Sequence, residues 1–371
     1  MISQWMQSAL DLARQGRGRS SPNPAVGCVI VHNGEPVGSG FHTWAAVDHA
    51  EIVALREAGE QARGATLYCT LEPCSFPGRT GACAEAIIKA GVAHVVAAME
   101  DPNPRVSGAG FAMLRSAGIG VSLETAATAT AQQLNESFIH FMRTGRPLVT
   151  IKAALTLDGK IAAPQDNLGW ITSEVARADV QMVRHFSDAI LTGLGTVLED
   201  DCMLTDRSGF ERSRPLLRIV LDSQFRIPLN MKMVTSAKDD LLVVGTSAAP
   251  ADRRKALEAA GVQTLIADGP SGRTDPRKVV EHLAANRYLS LMVEAGSHVN
   301  WSMLDTQIAD KVLFYYAPKI LGGLKSMPVA GGQGRQRRID AILLERVTVH
   351  SVSTDEFAVE AFVVKAQKAW T

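Results

Sequence analysis

One imidazole and two thiols stand out in the first quarter of the chain: His49 in His49-Ala50-Glu51, Cys74 after Pro73, and Cys83. These are ligands of a borderline-soft cation such as Zn2+, and three protein ligands leave a fourth tetrahedral position open. An open position belongs to catalysis, because a structural site closes itself with a fourth protein ligand. Two thiolates and a neutral imidazole bring the dication to formal neutrality, and the metal then lowers the pKa of water to about 7. Glu51, two residues beyond the histidine, would take a proton from the attacking water, pass it to a ring nitrogen, and later protonate the departing amine. The chemistry is hydrolytic deamination of a nitrogen heterocycle. Enzymes that edit nucleic-acid bases separate the two cysteines by two residues. Here Ser75 to Ala82 intervene, which points away from that branch.

The elements that must hold these groups follow from periodicity. Residues 50–58 have helical spacing and stop at Gly59; residues 83–90 do the same and stop at Gly91. Both helix starts would turn positive dipole ends toward the metal and favour thiolate over thiol. Residues 26–31 form an apolar strand, and Asn33-Gly34 predicts a type I′ turn into a second strand over 37–41. Strands over 65–71, 93–98 and 119–123, a helix over 110–117 and one long helix over 128–142 complete this half. The alternation predicts a mostly parallel central sheet covered on both faces. Thr144-Gly145-Arg146-Pro147 breaks the last helix, so the expected domains are 1–145 and 146–371.

The second half keeps the α/β rhythm without repeating the sequence. Strands are expected over 148–154, 189–192, 216–221, 241–245, 289–294 and 312–317, with helices over 173–187, 252–260 and 276–285. Residues 347–352 and 357–364 alternate as an antiparallel pair about Thr354-Asp355, which makes the sheet mixed. Gly193-Leu194-Gly195-Thr196 begins like a dinucleotide fingerprint but lacks its third glycine. It still follows a strand and enters a helix, where backbone amides could bind a phosphate. Glu294-Ala295-Gly296-Ser297 is a second strand-end glycine before a helix and suggests a pyrophosphate site.

Composition sets the outer bounds. A chain of 371 residues exceeds one ordinary hydrophobic core. A net charge of zero argues against nucleic-acid and membrane partners. No apolar stretch approaches a membrane span. Ile2, Trp5, Met6, Ala9, Leu10 and Ala13 recur at helical spacing where a leader would be continuously apolar, so the expected location is cytoplasmic. Five cysteines, two of them committed to metal, do not make a disulfide framework. Cys28 and Cys69 read as small buried hydrophobes, and Cys202 has no evident role. Arg335, Arg337 and Arg338 read as a solvated loop, with a phosphate contact as the alternative.

Pro22-Asn23-Pro24-Ala25-Val26-Gly27, His49-Ala50-Glu51, Glu72-Pro73-Cys74-Ser75, Gly78-Arg79-Thr80 and Asp101-Pro102-Asn103-Pro104 resemble a cytidine-deaminase-like domain. The domain is the one found in bifunctional riboflavin-biosynthesis deaminase-reductases. Lys152, Leu157-Asp158-Gly159, Trp170-Ile171-Thr172, Asp200-Asp201 and Val293-Glu294-Ala295-Gly296 are similar to the reductase half of the same family, in the same order. The resemblance implies an N-terminal three-layer α/β deaminase domain and a C-terminal dihydrofolate-reductase-like domain with a mixed sheet. It implies two successive reactions. The first is deamination of 2,5-diamino-6-(5-phosphoribosylamino)pyrimidin-4-one to 5-amino-6-(5-phosphoribosylamino)uracil, and the second is NADPH reduction of the ribose to a ribityl chain.

Carried over residue by residue, the resemblance assigns Zn2+ to His49, Cys74 and Cys83, with Glu51 catalytic. It assigns Asn23 and Arg79 to the deaminase substrate, a small pyrimidine ribosyl phosphate, and His42 is a possible lining residue. Ala154, Trp170, Thr196, Asp200, Ser223 and Gly296 would contact NADPH. Arg184, Leu204, Arg207 and Glu294 would contact the reductase substrate, with Lys152 and Glu294 as its acid-base pair. A homo-oligomer is expected of this class. The chain departs from the family at Phe76-Pro77, where a histidine follows the Cys-Ser pair, at Gly81-Ala82 in place of two prolines, and at Leu168 in place of a serine. Two other readings stay open. A deaminase of nucleic-acid bases with an accessory domain would need a basic face. A zinc-stabilised binding protein without deaminase activity would rest on Phe76-Pro77 alone.

Overall fold

Ser3 accepts the Met6 N–H and starts the first helix, α1 (Gln4–Gly16), which buries Met6, Ala9, Leu10 and Ala13 in one stripe. The stripe lies directly on β1 (Gly27–His32). A Cβ on Gly27 would stand 2.0 Å from the Ala9 carbonyl oxygen, so only glycine permits this approach. These contacts belong to a computed structural model that describes residues 1–76, 81–104, 106–165 and 168–365. It divides into two compact units, Met1–Gly145 with Glu211–Arg214 and Arg146–Phe210 with Pro215–Thr371. Glu211–Arg214 joins the first unit through an Arg19–Glu211 ion pair of 2.7 Å and a Ser213 N–H donated to Gly18 O at 2.9 Å.

In the first unit β1 is followed by β2 (Glu35–Phe41), α2 (Ala50–Ala58), β3 (Thr66–Cys69), α3 (Cys83–Ala90), β4 (His94–Ala97), α4 (Ala109–Ser116) and β5 (Gly120–Leu123). The sheet order is β2-β1-β3-β4-β5. Asn33 and Gly34 both take positive φ, as a type I′ turn demands. The expectation of a mostly parallel sheet is corrected here. β1 pairs antiparallel with both β2 and β3, and only β3-β4-β5 run parallel. The single long helix is corrected too. It is two helices, α5 (Thr128–Leu134) and α6 (Glu136–Thr144), broken at Asn135. Buried Asn135 turns its amide on the Ala25 backbone, accepting the N–H at 2.8 Å and donating to the carbonyl at 3.0 Å. That bond competes with the helix and wins.

The second unit runs β6 (Leu148–Thr156), β7 (Lys160–Ala162), α7 (Glu174–His185), β8 (Ala189–Gly193), α8 (Leu194–Asp200), β9 (Leu217–Leu221), α9 (Lys232–Thr235), β10 (Leu241–Gly245), α10 (Ala251–Ala259) and β11 (Gln263–Ile266). It continues with α11 (Pro276–Ala285), β12 (Ser290–Val293), α12 (Ser297–Asp305), β13 (Lys311–Ala317), β14 (Met327–Pro328), β15 (Leu344–Ser351) and β16 (Phe357–Val363). Nine strands form one sheet in the order β11-β10-β9-β8-β12-β6-β13-β16-β15. β11 through β13 pair in parallel, and β16 and β15 add the antiparallel hairpin. Val149, Ile151, Leu191, Ile219 and Val293 pack on one face, and Ile190, Val220 and Val243 on the other. Burial on both faces explains why these strands read as continuous apolar runs.

Candidate active sites

His49 is the N-cap of α2, Glu51 lies in its first turn, and Cys83 opens α3. Cys74 comes from the loop after β3, and the Cys83 N–H donates to its sulfur at 3.3 Å. His49 Nδ1 stands 3.2 Å from Cys83 Sγ and 3.6 Å from Cys74 Sγ, and the three donor atoms lie within 4.8 Å of one another. Bonds of about 2.0–2.1 Å to nitrogen and 2.3 Å to sulfur require tetrahedral edges of roughly 3.5–3.8 Å. The donor set therefore fits Zn2+ in chemistry and in spacing.

The electrostatics agree. Hydrogen bonds from Cys83 and then His49 hold the Cys74 thiol well below the ordinary thiol range, which favours its thiolate. Burial pushes the Glu51 carboxyl up to about 7. By contrast Cys28 and Cys69 are held far above the ordinary thiol range by burial, which leaves them inert.

Around this centre the His42 ring meets the His49 ring edge-on, with centroids 5.2 Å apart. His42 Nδ1 faces the Asp48 carbonyl at 2.8 Å and therefore carries the proton. Its Nε2 is then the acceptor for the Asn23 amide at 3.1 Å, which leaves the Asn23 carbonyl oxygen outside that bond. Asn23 and His42 thus come together beside the metal ligands. Phe76 is 46% exposed next to the Cys74 loop. Arg79 lies outside the described residues.

Sequence reasoning quoted Glu72 but gave it no work. Its buried carboxylate accepts four backbone N–H groups, from Asp101, Gly108, Gly110 and Phe111, at 2.9–3.2 Å. It thereby ties the Pro73-Cys74 segment to the start of α4. An acid immediately before Pro-Cys is the available sequence signal, but its partners lie some thirty residues on. A Cβ on Gly110 would stand 2.0 Å from the Pro73 carbonyl oxygen. We expect Gly110→Ala to push Pro73-Cys74 off position and weaken zinc binding by about 10-fold or more. Competition with a chromophoric chelator measures this, and an unchanged zinc affinity would contradict it.

The second site gathers around Glu294 at the end of β12, with Lys152 from β6 and Arg184 from α7. Glu294 receives Arg184 Nε at 2.7 Å, Arg184 Nη2 at 3.0 Å and Lys152 Nζ at 3.3 Å. The Lys152 and Glu294 side chains are only 11% and 12% exposed. Burial alone would raise the Glu294 carboxyl, but the two cations outweigh it and hold it down to about 2. Lys152 Nζ also lies 5.9 Å from the Tyr315 ring centroid, and the Tyr315 hydroxyl donates to Asp179 at 2.5 Å. Neither Tyr315 nor Asp179 was visible as a site residue, because 136 residues separate them.

Arg184 and Arg207 do different things. Arg184 is spent on Glu294 and on the Thr205 carbonyl. Arg207 is exposed and borders a groove of about 550 Å³ with Asp179, Gln181, Ser208 and His350. The Leu204 side chain is buried in the apolar core beside Val197 and Val220, so only its backbone is placed to face a ligand.

At the cofactor end, Gly195 and Gly296 mark open space. A Cβ on Gly195 would meet nothing within 4 Å, and one on Gly296 only the Thr196 hydroxyl at 3.9 Å. Two helix starts on neighbouring parallel strands with a cradle between them fit a pyrophosphate. Ala154 lies in β6, Asp200 at the exposed end of α8, and Ser223 follows β9. Trp170 is 70% exposed with Arg177 against its ring at 4.9 Å. Arg335 pairs with Asp305 and lies over Trp301, and Arg337 pairs with Asp340, which suits the solvated-loop reading.

One pH effect follows from Glu294. Its folded pKa near 2 lies below the ordinary value of about 4.3, so its stabilisation is full above that value and is lost as pH falls toward 2. Urea titrations across that window should show a steeper loss of stability for the native chain than for Glu294→Gln. Equal slopes would contradict the assignment.

Comparison with known proteins places both halves of the chain. Residues 1–99 match the cytidine and deoxycytidylate deaminase zinc-binding region, and residues 147–356 match the RibD C-terminal domain. The riboflavin biosynthesis protein RibD of Actinobacillus pleuropneumoniae is 39% identical over 95% of this chain and 93% of its own length. Its counterpart in Escherichia coli is 42% identical over 87% and 90%. RibD of Acinetobacter baumannii superposes with a TM-score of 0.85 at 35% identity, covering 97% of this chain and 98% of that one. A Thermotoga maritima diaminohydroxyphosphoribosylaminopyrimidine deaminase/5-amino-6-(5-phosphoribosylamino)uracil reductase does so with 0.83 at 33% identity and the same coverage.

Proposed function

The chain belongs to the RibD family of riboflavin-biosynthesis proteins, and from that premise we propose how its two halves divide the work and which residues carry it. It is a bifunctional enzyme of riboflavin biosynthesis, a zinc-binding deaminase and a reductase in one chain. Residues 1–145 deaminate the diaminopyrimidine ribosyl phosphate, and residues 146–371 reduce the ribose of the product with NADPH. The observation that carries this reading is the convergence of His49, Cys74 and Cys83 within 4.8 Å beside buried Glu51.

Zinc, when held by His49, Cys74 and Cys83, supplies the Lewis acidity that lets water attack at neutral pH. Glu51 takes a proton from that water and delivers it to the ring nitrogen beside the reacting carbon; it then takes the remaining proton from the hydroxyl on that carbon and passes it to the departing amine. Water and the amino compound thus become the uracil and ammonia. The carbonyl oxygen of Asn23, oriented by the bond from its amide to His42, accepts from the pyrimidine edge. Exposed Phe76, in place of the family's histidine, offers a face on which the ring can stack.

NADPH, when bound over the Gly195–Gly296 cradle, supplies the hydride. Lys152 stands as the proton donor when the opened ribose is reduced at its first carbon, and Glu294 holds its amine in position. A carboxyl held near 2 is a poor proton carrier at neutral pH, so Glu294 is better read as a positioning group than as a base. Arg207, with no ion partner among the described residues, is the guanidinium available for the ribose phosphate.

Neutral net charge and the lack, among the described residues, of a helix long and apolar enough to cross a membrane support a cytoplasmic enzyme of small molecules. The outer edge of the large sheet supports self-association: β15 is exposed along its whole length and carries Leu344, Val347 and Val349. The division of labour is tested by complementation. Glu51→Gln and Glu294→Gln should each fail to make the ribitylamino product, and a mixture of the two should make it. Failure of the mixture, with each partner reaction intact, would refute independent sites.

A further inference from the structure

The C-terminal ends of five neighbouring parallel strands form one row, in the order β12, β8, β9, β10, β11. The cradle at Gly296 and Thr196 occupies the β12 and β8 ends. Ser223, at the β9 end, is two strand spacings from β12, roughly 10 Å, which suits the reach from a pyrophosphate to the ribose of its own adenosine. Nicotinamide enzymes read that ribose in one of two ways: an acid takes the 2′-hydroxyl of NADH, or an arginine takes the 2′-phosphate of NADPH.

The acid at this end is already used. Asp222 is buried, and its carboxylate accepts the Ile227 N–H at 2.8 Å and the Gln224 N–H at 3.4 Å. The acid after β11, Asp268, accepts the Ser247 N–H at 2.6 Å. A cation is available instead. The Thr274 N–H donates to Ser223 Oγ at 3.2 Å, which seats the loop bearing Arg273 directly over the β9 end. That loop is closed by Gly269 N–H donated to Arg273 O at 2.9 Å and by the Asp268–Thr274 bridge. Arg273 is exposed and has no ion pair or side-chain hydrogen bond among the described residues. Nearby Arg254 is occupied by Glu258 and Thr264. We propose that Arg273, with Ser223, binds the 2′-phosphate of the cofactor and so selects NADPH over NADH.

This inference rests on the cofactor site proposed above and adds its specificity. Calorimetric binding of 2′,5′-ADP and of 5′-AMP to the full-length protein reads the 2′-phosphate without any turnover. Arg273→Gln should weaken 2′,5′-ADP by about 10-fold or more and leave 5′-AMP unchanged. The KM for NADPH should rise in parallel while that for NADH stays fixed. An unchanged affinity for 2′,5′-ADP, or an equal loss for both nucleotides, would overturn the assignment. Gly296→Val separates the two levels, because a Cβ there meets only the Thr196 hydroxyl at 3.9 Å and the methyl groups beyond it would fill the cradle. Full NADPH affinity in Gly296→Val would sink the cofactor site itself. Loss of NADPH there, with 2′,5′-ADP binding intact in Arg273→Gln, would sink only the role of Arg273.

Discussion

Glu51→Gln should release ammonia on the order of 10³-fold more slowly than the native enzyme while keeping a full complement of zinc. Glu51 is not among the convergent donor atoms, which are His49 Nδ1, Cys74 Sγ and Cys83 Sγ. It is buried in the first turn of α2, where glutamine keeps shape and volume. Glutamine cannot accept and return a proton, so only the transfer is lost. Stability should hold or rise, because a neutral amide is cheaper to bury than a carboxyl. Reduction of the deaminated substrate should continue at the native rate. Loss of zinc in this variant would instead make Glu51 a ligand, and a residual activity above about a tenth would remove it from proton transfer.

Glu294→Ala has the largest expected effect on the second unit. It removes the carboxylate that pairs with both Lys152 and Arg184, and breaking such a buried pair costs about 3–5 kcal/mol. At roughly 2–4 °C per kcal/mol for a unit of this size, the melting transition should fall by the order of 10 °C. Reductase turnover should drop at least about 100-fold, because Lys152 is no longer aimed. Ammonia release should persist. Adding Lys152→Met should recover part of the stability and none of the reduction, which separates folding from function. A single Glu294→Ala variant with native melting would show that the three charges are solvated and that the ion pair has little structural weight.

The metal centre was legible because its chemistry lies in residue types at helix starts. His49 and Cys83 sit where the periodic runs of α2 and α3 begin, and both runs end at glycines that take positive φ. The hairpin was legible for a similar local reason, Asn33-Gly34. What escaped depends on partners far along the chain. Asn135 breaks its helix for a backbone 110 residues away, and no local propensity announces that. The antiparallel pairing of β1 with β3 places Cys28 opposite Cys69, a register that alternation with helices does not predict. The cofactor cradle was half legible: two strand-end glycines were visible, but their adjacency required the strand order β8-β12. Leu204 came from the resemblance alone, because its apolar side chain is buried in the core and carries no local signal of a ligand.

The central claim is that one chain holds a self-sufficient zinc deaminase followed by a separate reductase. Its most direct test is ammonia release from 2,5-diamino-6-(5-phosphoribosylamino)pyrimidin-4-one by zinc-loaded protein with no nicotinamide present. The account predicts one equivalent of ammonia per uracil formed, abolished by Glu51→Gln and followed by NADPH oxidation only after the uracil has appeared. No ammonia from fully zinc-loaded protein, or NADPH oxidation that precedes it, would contradict the account.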